Sequence, residues 1–370
     1  MAQTRKKPTV DDVVARFDIE YRQILNPQGN LIEALPKNIG NAELIRMYRM
    51  MSLMRVFDKK AVNLQRTGKL GTYASCLGHE ATHVGIGAAM RAEDCLAPMY
   101  REYGAMVWRG VKMEEILLYW GGDERGSAYS GPIHDFPICV PIATQCLHGA
   151  GAAMAFQLRR EKRCVVTVIG DGGTSEGAFY EALNLAGVRK LPMVFVIANN
   201  QWAISVPREI QSAAQTLAQK GIAAGVPAVQ VDGNDVITVR DEMNKALQRA
   251  RDGQGPTVIE AVTYRLSDHT TADDASRYRK QGEVTKAWSV EPLVRLNKYL
   301  TEQKVWNEKD EQALLNECAK QVDVAVNAYL DTDKAPPEHM FDYMYEQWPD
   351  NLDDQRQTGI NYADTNKGGH

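Results

Sequence analysis

Short apolar runs bounded by glycine, proline or polar residues alternate along the chain with longer segments of helical periodicity. Residues 164–169 and 193–197 are apolar at nearly every position and rich in β-branched side chains, which is typical of strands buried on both faces of a sheet. Further strand-like runs lie at 229–231 and 257–262, and helical patterns separate the runs. This alternation predicts an α/β fold with a mostly parallel sheet flanked by helices.

Helical patterns also extend this core at its N-terminal and C-terminal ends. A segment rich in helix-forming residues begins at Asn41, residues 292–330 show the same periodicity, and a further helix is expected over 211–225. The sequence predicts three parts: an extended N-terminal arm (1–40), an α/β domain with C-terminal helices (41–330) and an irregular, proline-containing C-terminal arm (331–370).

Polar residues follow two of the predicted strands at the points where the strands end. Asp171 comes directly after the first run, and Asn199 and Asn200 close the second. Open α/β sheets bind ligands at the carboxyl ends of their strands, so these oxygens are expected to converge. The glycines at 172 and 173 would let the backbone approach an anion, and Thr174 or Ser175 would cap the next helix. Oxygen ligands beside phosphate-accepting amides suit magnesium held jointly by protein and a diphosphate, whereas the plainer alternative is a tight turn with an asparagine-rich loop.

The spacing of these residues resembles the thiamine-diphosphate signature, since Gly170-Asp171-Gly172 is followed, after 26 residues, by Asn199-Asn200. The longer text GDGGTSEGAFYEALNLAG…NNQWAISVP is similar to the α subunit of the decarboxylase component of 2-oxo acid dehydrogenases, and the likeness runs from about residue 46 to about residue 349. It implies the thiamine-diphosphate-binding fold, with thiamine diphosphate and Mg²⁺ as cofactors.

The resemblance also assigns roles to individual residues. It implies that Tyr100 and Arg101 bind the cofactor and that the arginine meets the diphosphate, since an arginine is suited to bidentate phosphate binding. Ile142 would support the bent cofactor, although a plain core isoleucine fits equally well. His269 would bind at the cofactor and contact substrate or the reacting intermediate, through proton transfer or oxyanion stabilisation. Without the resemblance, a lone histidine in a polar loop would be expected to be simply exposed. The expected metal ligands are Asp171, Asn200 and the backbone carbonyl of Trp202, beside Gly172 and Gly173 at the diphosphate.

Partners follow from the same resemblance. In the superfamily that the chain resembles, a second domain supplies a glutamate that activates the aminopyrimidine ring of the cofactor. One diphosphate-binding domain with arms accounts for the length of this chain, so the glutamate is expected from a separate β subunit in an α2β2 heterotetramer. Tyr278 and Arg279 lie where the lipoyl domain of an acyltransferase core would pass, and Thr270 occupies the position of a kinase-targeted serine in animal relatives. The likeness in sequence favours pyruvate as the 2-oxo acid, with branched-chain 2-oxo acids as the alternative.

Two other functions compete with this interpretation. His79, Glu80 and His83 match the HExxH motif of zinc peptidases, with Glu93 or Glu102 as a third ligand. Ordinary surface or interface histidines are the simpler interpretation of that motif. The remaining alternative is an assembly subunit without a cofactor. Residues 121–141 are expected to form a functional loop, in which His134 is a candidate for a histidine that the relatives carry nearby.

The composition of the chain limits its expected partners and its cellular compartment. The net charge of −4 gives no argument for nucleic acid, and no apolar run approaches the ~20 residues of a membrane span. The six cysteines are scattered without a CxxC, and the first ten residues lack the apolar stretch of a secretory signal. A bacterial cytoplasm is therefore expected, with the equally reducing mitochondrial matrix as the alternative.

Overall fold

The computed structural model describes residues 13–342 and 344–365, with an all-parallel six-stranded sheet at the centre of this part of the chain. In chain order the strands are β1 (Glu20–Arg22), β2 (Cys95–Ala97), β3 (Val165–Gly170), β4 (Met193–Asn199), β5 (Trp202–Ala203), β6 (Val206–Pro207), β7 (Ala228–Asp232) and β8 (Thr257–Val262). The sheet has the spatial order β1-β7-β8-β4-β3-β2, while β5 and β6 form a separate antiparallel hairpin. The predicted α/β fold with a parallel sheet is confirmed.

Helices flank the sheet and extend it toward the C-terminus. They are α1 (Asn41–Arg66), α2 (Glu80–Ala89), α3 (Tyr103–Arg109), α4 (Met113–Trp120), α5 (Thr144–Leu158), α6 (Gly177–Arg189), α7 (Arg208–Gln211), α8 (Gln219–Ala223), α9 (Val236–Arg251), α10 (Gln281–Trp288), α11 (Pro292–Glu302), α12 (Glu308–Leu330), α13 (His339–Asp342) and α14 (Asp353–Thr365). Short 3₁₀ turns cover Glu124–Ser127, Gly172–Ser175, Ala275–Arg277 and Asp350–Leu352.

The central strands are buried on both faces, which explains their continuous apolar sequence. In β3, Val166 and Val168 pack into the cluster that includes α1, α2 and α9, whereas Val165 and Ile169 face the cluster of α5 and α6. Alternate residues of a strand point to opposite faces, so both must be apolar when helices cover both sides.

The described part of the N-terminal arm lies on its own domain. Strand β1 pairs in parallel with β7, and the backbone N–H groups of Ile24 and Leu25 donate to Oδ2 of Asp235 at 2.8 and 2.7 Å. Asp235 also accepts from Ile237 and Thr238 at the start of α9, so one buried carboxylate caps a helix and anchors the arm. Residues 1–12 of the predicted arm lie outside the described residues.

Three local predictions are wrong. The helix expected over 211–225 is broken, because Arg208 donates to the carbonyls of Ser212 and Ala214 and holds that segment extended between α7 and α8. Neither Thr174 nor Ser175 caps α6; the Thr174 hydroxyl instead donates to the Asp171 carbonyl at 2.7 Å.

The C-terminal segment is the third of these, since it is not irregular throughout. It contains α13 and α14, which follow the prolines at 336, 337 and 349. A helix is compatible with proline just before its start, so the prolines mark helix boundaries in this segment. Among the described residues, no helix combines the length and apolar character needed to cross a bilayer.

Candidate active site

The carboxyl ends of β3, β4 and β8 bring the candidate residues to one edge of the sheet. Gly170 is in register with Ala198, and Asn199 with Val262, so the loops that follow all three strands emerge side by side. They border a cleft of about 2100 Å³. Its lining includes every residue singled out for the cofactor, the metal and catalysis: Tyr100, Arg101, Ile142, Asp171, Gly172, Gly173, Asn200, Trp202 and His269.

Asp171 has an unsatisfied oxygen at the bottom of this cleft. The residue is 3% exposed, and its Oδ1 accepts from the N–H of Gly172 at 2.8 Å, whereas Oδ2 is buried and no residue in the described ranges donates a hydrogen bond to it. Burial raises the pKa of Asp171, against the opposing pull of Arg265 and Arg208. A buried carboxylate oxygen without a partner is costly, and a bound cation would satisfy it.

Asn200 is held by two contacts of opposite polarity. Its Oδ1 accepts from the backbone N–H of Trp202 at 3.1 Å, and its Nδ2 lies 3.0 Å from Nε2 of His79. Asn199 turns away and donates to Glu260 at 2.7 Å. The carbonyl oxygen of Trp202 lies 3.5 Å from Nη1 of Arg265. Of the two asparagines, Asn200 lines the cleft and Asn199 does not.

The glycines of the turn leave no room for side chains. A Cβ at Gly172 would lie 2.6 Å from Cβ of Ala203, and one at Gly173 would lie 2.8 Å from Cγ1 of Ile169 and 3.0 Å from Cγ2 of Ile142. Ile142 is 41% exposed and faces the cleft, so it is not a core isoleucine. The residue after it, Ala143, has φ of 67°, a left-handed conformation that few non-glycine residues adopt.

His269 is clamped by two arginines. Arg101 Nη2 lies 3.0 Å from Nδ1 of His269 and donates to its carbonyl oxygen at 2.6 Å, while Arg265 Nη1 lies 3.2 Å from the same Nδ1. Guanidinium groups only donate, so Nδ1 accepts and the ring proton lies on Nε2. Burial, with the charges of Arg101 and Arg265, lowers the pKa of His269 to about 3. His269 is therefore a neutral hydrogen-bond donor rather than a freely exposed loop histidine.

The same two arginines create an excess of positive charge. Arg101 is 2% exposed and Arg265 is fully buried, yet neither forms an ion pair with a carboxylate among the described residues. Buried guanidinium groups are normally paired, so this part of the cleft favours an anion such as a diphosphate. Arg265 was missed in the sequence; its position just past β8 and four residues before His269 was the available signal.

The HExxH motif does not form a zinc site. His79, Glu80 and His83 are all buried, and Glu80 is bound to Arg55 at 2.6 Å and to the N–H of Gly78 at 2.9 Å. Within the described ranges, no group of three or more His, Cys, Asp or Glu side chains could hold a metal. The peptidase hypothesis is contradicted, and the simpler prediction of surface or interface histidines is also wrong because both imidazoles are enclosed by this chain. The third ligands considered, Glu93 and Glu102, fall with that hypothesis.

Two other segments border the cleft. In the loop of residues 121–141, Asp123, Glu124 and Arg125 line the cleft. His134 of the same loop is exposed and does not line the cleft. Residues 334–337 and 339–340 of the C-terminal segment also line the cleft, which the sequence did not indicate. They lie beside the same loop, since Arg125 donates to the carbonyl of Asp333 at 2.5 Å.

A family model supplies the deciding comparison. The model described as "Dehydrogenase E1 component" matches residues 48–338. The chain belongs to the dehydrogenase E1 component family. Within this E1 family it corresponds to the α subunit of 2-oxo acid dehydrogenases, which are thiamine-dependent enzymes. The cofactor-free assembly subunit is thereby set aside.

Relatives along nearly the whole chain carry two different substrate names. The pyruvate dehydrogenase E1 component subunit alpha of Mycoplasma genitalium is 37% identical over 92% of this chain and 95% of its own length. The 3-methyl-2-oxobutanoate dehydrogenase subunit alpha of Mycobacterium tuberculosis is 38% identical over 96% of this chain and 97% of its own. The pyruvate dehydrogenase E1 component subunit alpha of Staphylococcus aureus is 36% identical, with 96% of both chains covered.

The observed residues fit the cofactor that the E1 family implies. A metal-bound diphosphate needs a free carboxylate oxygen, a close approach of the backbone and positive charge. Oδ2 of Asp171 has no partner among the described residues, the turn at Gly172 and Gly173 carries no side chain, and Arg101 and Arg265 form no ion pair within the same ranges.

Proposed function

We propose that this chain is the α subunit of a pyruvate dehydrogenase that uses thiamine diphosphate and Mg²⁺. It would decarboxylate pyruvate and pass the acetyl group to a lipoyl group of a dihydrolipoyl acetyltransferase. The observation that carries the proposal is the convergence of Asp171, Asn200 and the buried Arg101 on one cleft at the carboxyl edge of the sheet. Arg265 is buried against His269 at the same site, and neither arginine forms an ion pair with a carboxylate among the described residues.

The residues of this chain divide the work of binding. Asp171, Asn200 and the carbonyl oxygen of Trp202 would hold Mg²⁺, and Arg101, beside Tyr100, would bind the diphosphate. Ile142, exposed to the cleft beside Gly173, would support the bent cofactor. When bound, thiamine diphosphate supplies a carbanion that attacks 2-oxo acids and an electron sink after decarboxylation.

His269 would act as a hydrogen-bond donor to the reacting group. Its Nδ1 is occupied by Arg101 and Arg265, so the only N–H it can offer is at Nε2. A neutral donor stabilises negative charge that develops on an oxygen without itself having to lose a full proton. We therefore favour oxyanion stabilisation over proton transfer for this residue.

The working site would be shared with a β subunit. We propose an α2β2 heterotetramer in which the β subunit supplies the glutamate that activates the aminopyrimidine ring, and the lipoyl domain reaches the cleft past Tyr278 and Arg279. The isolated chain is expected to be inactive, and robust acylation of a lipoyl domain by the isolated chain would overturn the shared site. A β-subunit gene in the neighbouring reading frame would support it.

Branched-chain 2-oxo acids are the second candidate, favoured by the relative from Mycobacterium tuberculosis. The deciding experiment assembles the chain with its β subunit and compares pyruvate with 3-methyl-2-oxobutanoate as substrates for acylation of a lipoyl domain. We expect the higher kcat/KM with pyruvate; a higher value with 3-methyl-2-oxobutanoate would assign the branched-chain function. Absence of turnover with both, in an assembled and cofactor-loaded enzyme, would contradict the proposal as a whole.

A mutation at His269 tests its place in the reaction. In His269→Ala the cofactor should still bind, while acyl transfer to the lipoyl group collapses. Titration calorimetry measures binding and a lipoyl acylation assay measures transfer. Normal turnover of the variant would remove His269 from the mechanism.

A further inference from the structure

His79, the first histidine of the HExxH motif, makes a direct contact with Asn200 at the floor of the cleft. Nε2 of His79 lies 3.0 Å from Nδ2 of the asparagine, and both side chains are buried. The zinc hypothesis leaves this histidine without a role, and the roles implied by the family resemblance do not include it.

The polarity of this contact follows from the other end of the amide. The backbone N–H of Trp202 can only donate, and it lies 3.1 Å from the asparagine oxygen, so Oδ1 must be on that side. Nδ2 then faces His79, and Nε2 of His79 has to be the acceptor. If the Asn200 carboxamide were turned by 180°, its NH₂ group would face the backbone N–H of Trp202, and neither group could accept a hydrogen bond.

The imidazole is itself held in place. His79 is the residue just before α2. Its backbone N–H donates to the Cys76 carbonyl at 2.9 Å, and its backbone carbonyl accepts from the backbone N–H of His83 at 3.0 Å. The two histidine rings stack with centroids 5.4 Å apart and planes 17° apart. The backbone of His79 is thus fixed beside the start of α2, and the stack on His83 restricts rotation of the buried ring.

We propose that His79 is a positioning residue for the metal ligand Asn200. By accepting from Nδ2, it keeps the carboxamide in the orientation that leaves the second lone pair of Oδ1 for the cation. This inference rests on the proposed role of Asn200 as a ligand of Mg²⁺. Side chains that orient ligands in this way change metal affinity by about 10- to 100-fold when they are removed.

The test compares three variants of the full chain assembled with its β subunit. His79→Phe keeps an aromatic ring but has no acceptor, and His79→Gln restores an acceptor oxygen. His83→Phe is the matched control, since His83 is equally buried in the same stack and forms no hydrogen bond to Asn200. If His79→Phe fails to assemble, His79→Met replaces it.

The readout is the Mg²⁺ concentration that gives half-maximal binding of thiamine diphosphate, measured by calorimetry at fixed cofactor. We expect it to rise about 10- to 100-fold in His79→Phe, to return close to the wild-type value in His79→Gln and to stay unchanged in His83→Phe. An unchanged value in His79→Phe, or an equal rise in His83→Phe, would overturn the positioning role. A wild-type enzyme whose cofactor binding ignores Mg²⁺ would instead refute the metal site of the proposed function, and this inference with it.

Discussion

Arg101 binds His269 twice, through a contact of 3.0 Å to the ring Nδ1 and a hydrogen bond of 2.6 Å to the carbonyl oxygen of the same residue. Arg101 lies two residues before the start of α3, while His269 lies on the loop after β8. The contact therefore joins two elements far apart in sequence, and it fixes both the position and the tautomer of the histidine. A residue assigned to the diphosphate by resemblance also determines what its neighbouring catalytic candidate can do.

The pKa of His269 makes a prediction about pH. Burial and the two arginines lower it to about 3, below the value of about 6.5 for an unfolded chain. The unfolded chain thus binds a proton that the folded chain does not, and the folded state loses stability as pH falls from about 6.5 toward about 3. In that window His269 stays neutral when folded, so it should not set an acid limb of decarboxylation near pH 6.5.

Removing one guanidinium tests that cause. In Arg101→Gln the pKa of His269 should rise toward its ordinary value, and an acid limb should move up in pH. Single-turnover decarboxylation at saturating cofactor, followed from about pH 5 to about pH 8, measures the shift. Arg277→Gln is the control, because Arg277 is exposed on the same loop and, among the described residues, its side chain bonds only to Asp274. Superimposable profiles for Arg101→Gln and wild type would contradict the electrostatic coupling.

Asp171 should show opposite effects on the empty and the loaded enzyme. Asp171→Asn removes a buried carboxylate whose Oδ2 has no partner in the described part of the chain, so the cofactor-free variant should unfold at the same temperature as wild type or higher. It should lose the stabilisation that Mg²⁺ and thiamine diphosphate give, which is about 2.7 kcal/mol at 100 times the dissociation constant. Thermal unfolding with and without both cofactors measures the two effects. Stabilisation of the variant equal to that of wild type would exclude Asp171 as a metal ligand.

Four strands of the sheet, β3, β4, β7 and β8, were predictable because their chemistry is local, whereas the three-residue strands β1 and β2 were not predicted. Strand β8 coincides with the predicted 257–262, and α1 begins at the predicted Asn41. Apolar runs and helix-forming segments report burial and periodicity directly, and these survive in the fold because the sheet is covered on both faces. The break between α7 and α8 was not predictable in this way, since it depends on one arginine side chain binding two backbone carbonyls.

The candidate site was predictable as far as the resemblance reached. It named Asp171, Asn200, His269 and the other cofactor candidates that line the cleft, but not the C-terminal residues 334–337 and 339–340. It also gave no sign that Arg265 would be buried without an ion pair among the described residues, or that His79 would face Asn200. These contacts join residues more than a hundred positions apart or on different strands, and spacing within one segment cannot report them. The metal site predicted from the HExxH spacing was wrong for the same reason. The spacing of the motif carries no information about the Arg55 side chain that binds Glu80.

The close approach of Gly172 to Ala203 predicts a compensating pair. In Gly172→Ala the new Cβ would lie 2.6 Å from Cβ of Ala203, so the β5–β6 hairpin must shift and cofactor affinity should fall. Adding Ala203→Gly removes the clashing atom, and the double variant should recover affinity relative to Gly172→Ala. Calorimetric titration with thiamine diphosphate at saturating Mg²⁺ gives the four dissociation constants of the cycle. Purely additive effects of the two substitutions would show that the clash does not couple them.

Asp58 supports the site from behind Arg101. Its carboxylate accepts from the Tyr73 hydroxyl at 3.0 Å, the Ser75 hydroxyl at 2.6 Å and the Cys76 N–H at 2.7 Å, and the Ser75 carbonyl in turn accepts from Arg101 Nη1 at 2.7 Å. Asp58→Ala leaves three buried donors unsatisfied, each costing about 1 to 3 kcal/mol.

We therefore expect Asp58→Ala to lower the free energy of unfolding by about 3 kcal/mol or more, and to weaken cofactor binding because the Ser75 carbonyl loses its fixed position. Ser75→Ala is the matched control, since it removes one of the three hydrogen bonds and leaves the backbone carbonyl that holds Arg101; it should cost about 1 kcal/mol. Urea unfolding measures stability, and titration calorimetry measures cofactor affinity. A loss in Asp58→Ala no larger than that in Ser75→Ala would show that the carboxylate does not organise this segment.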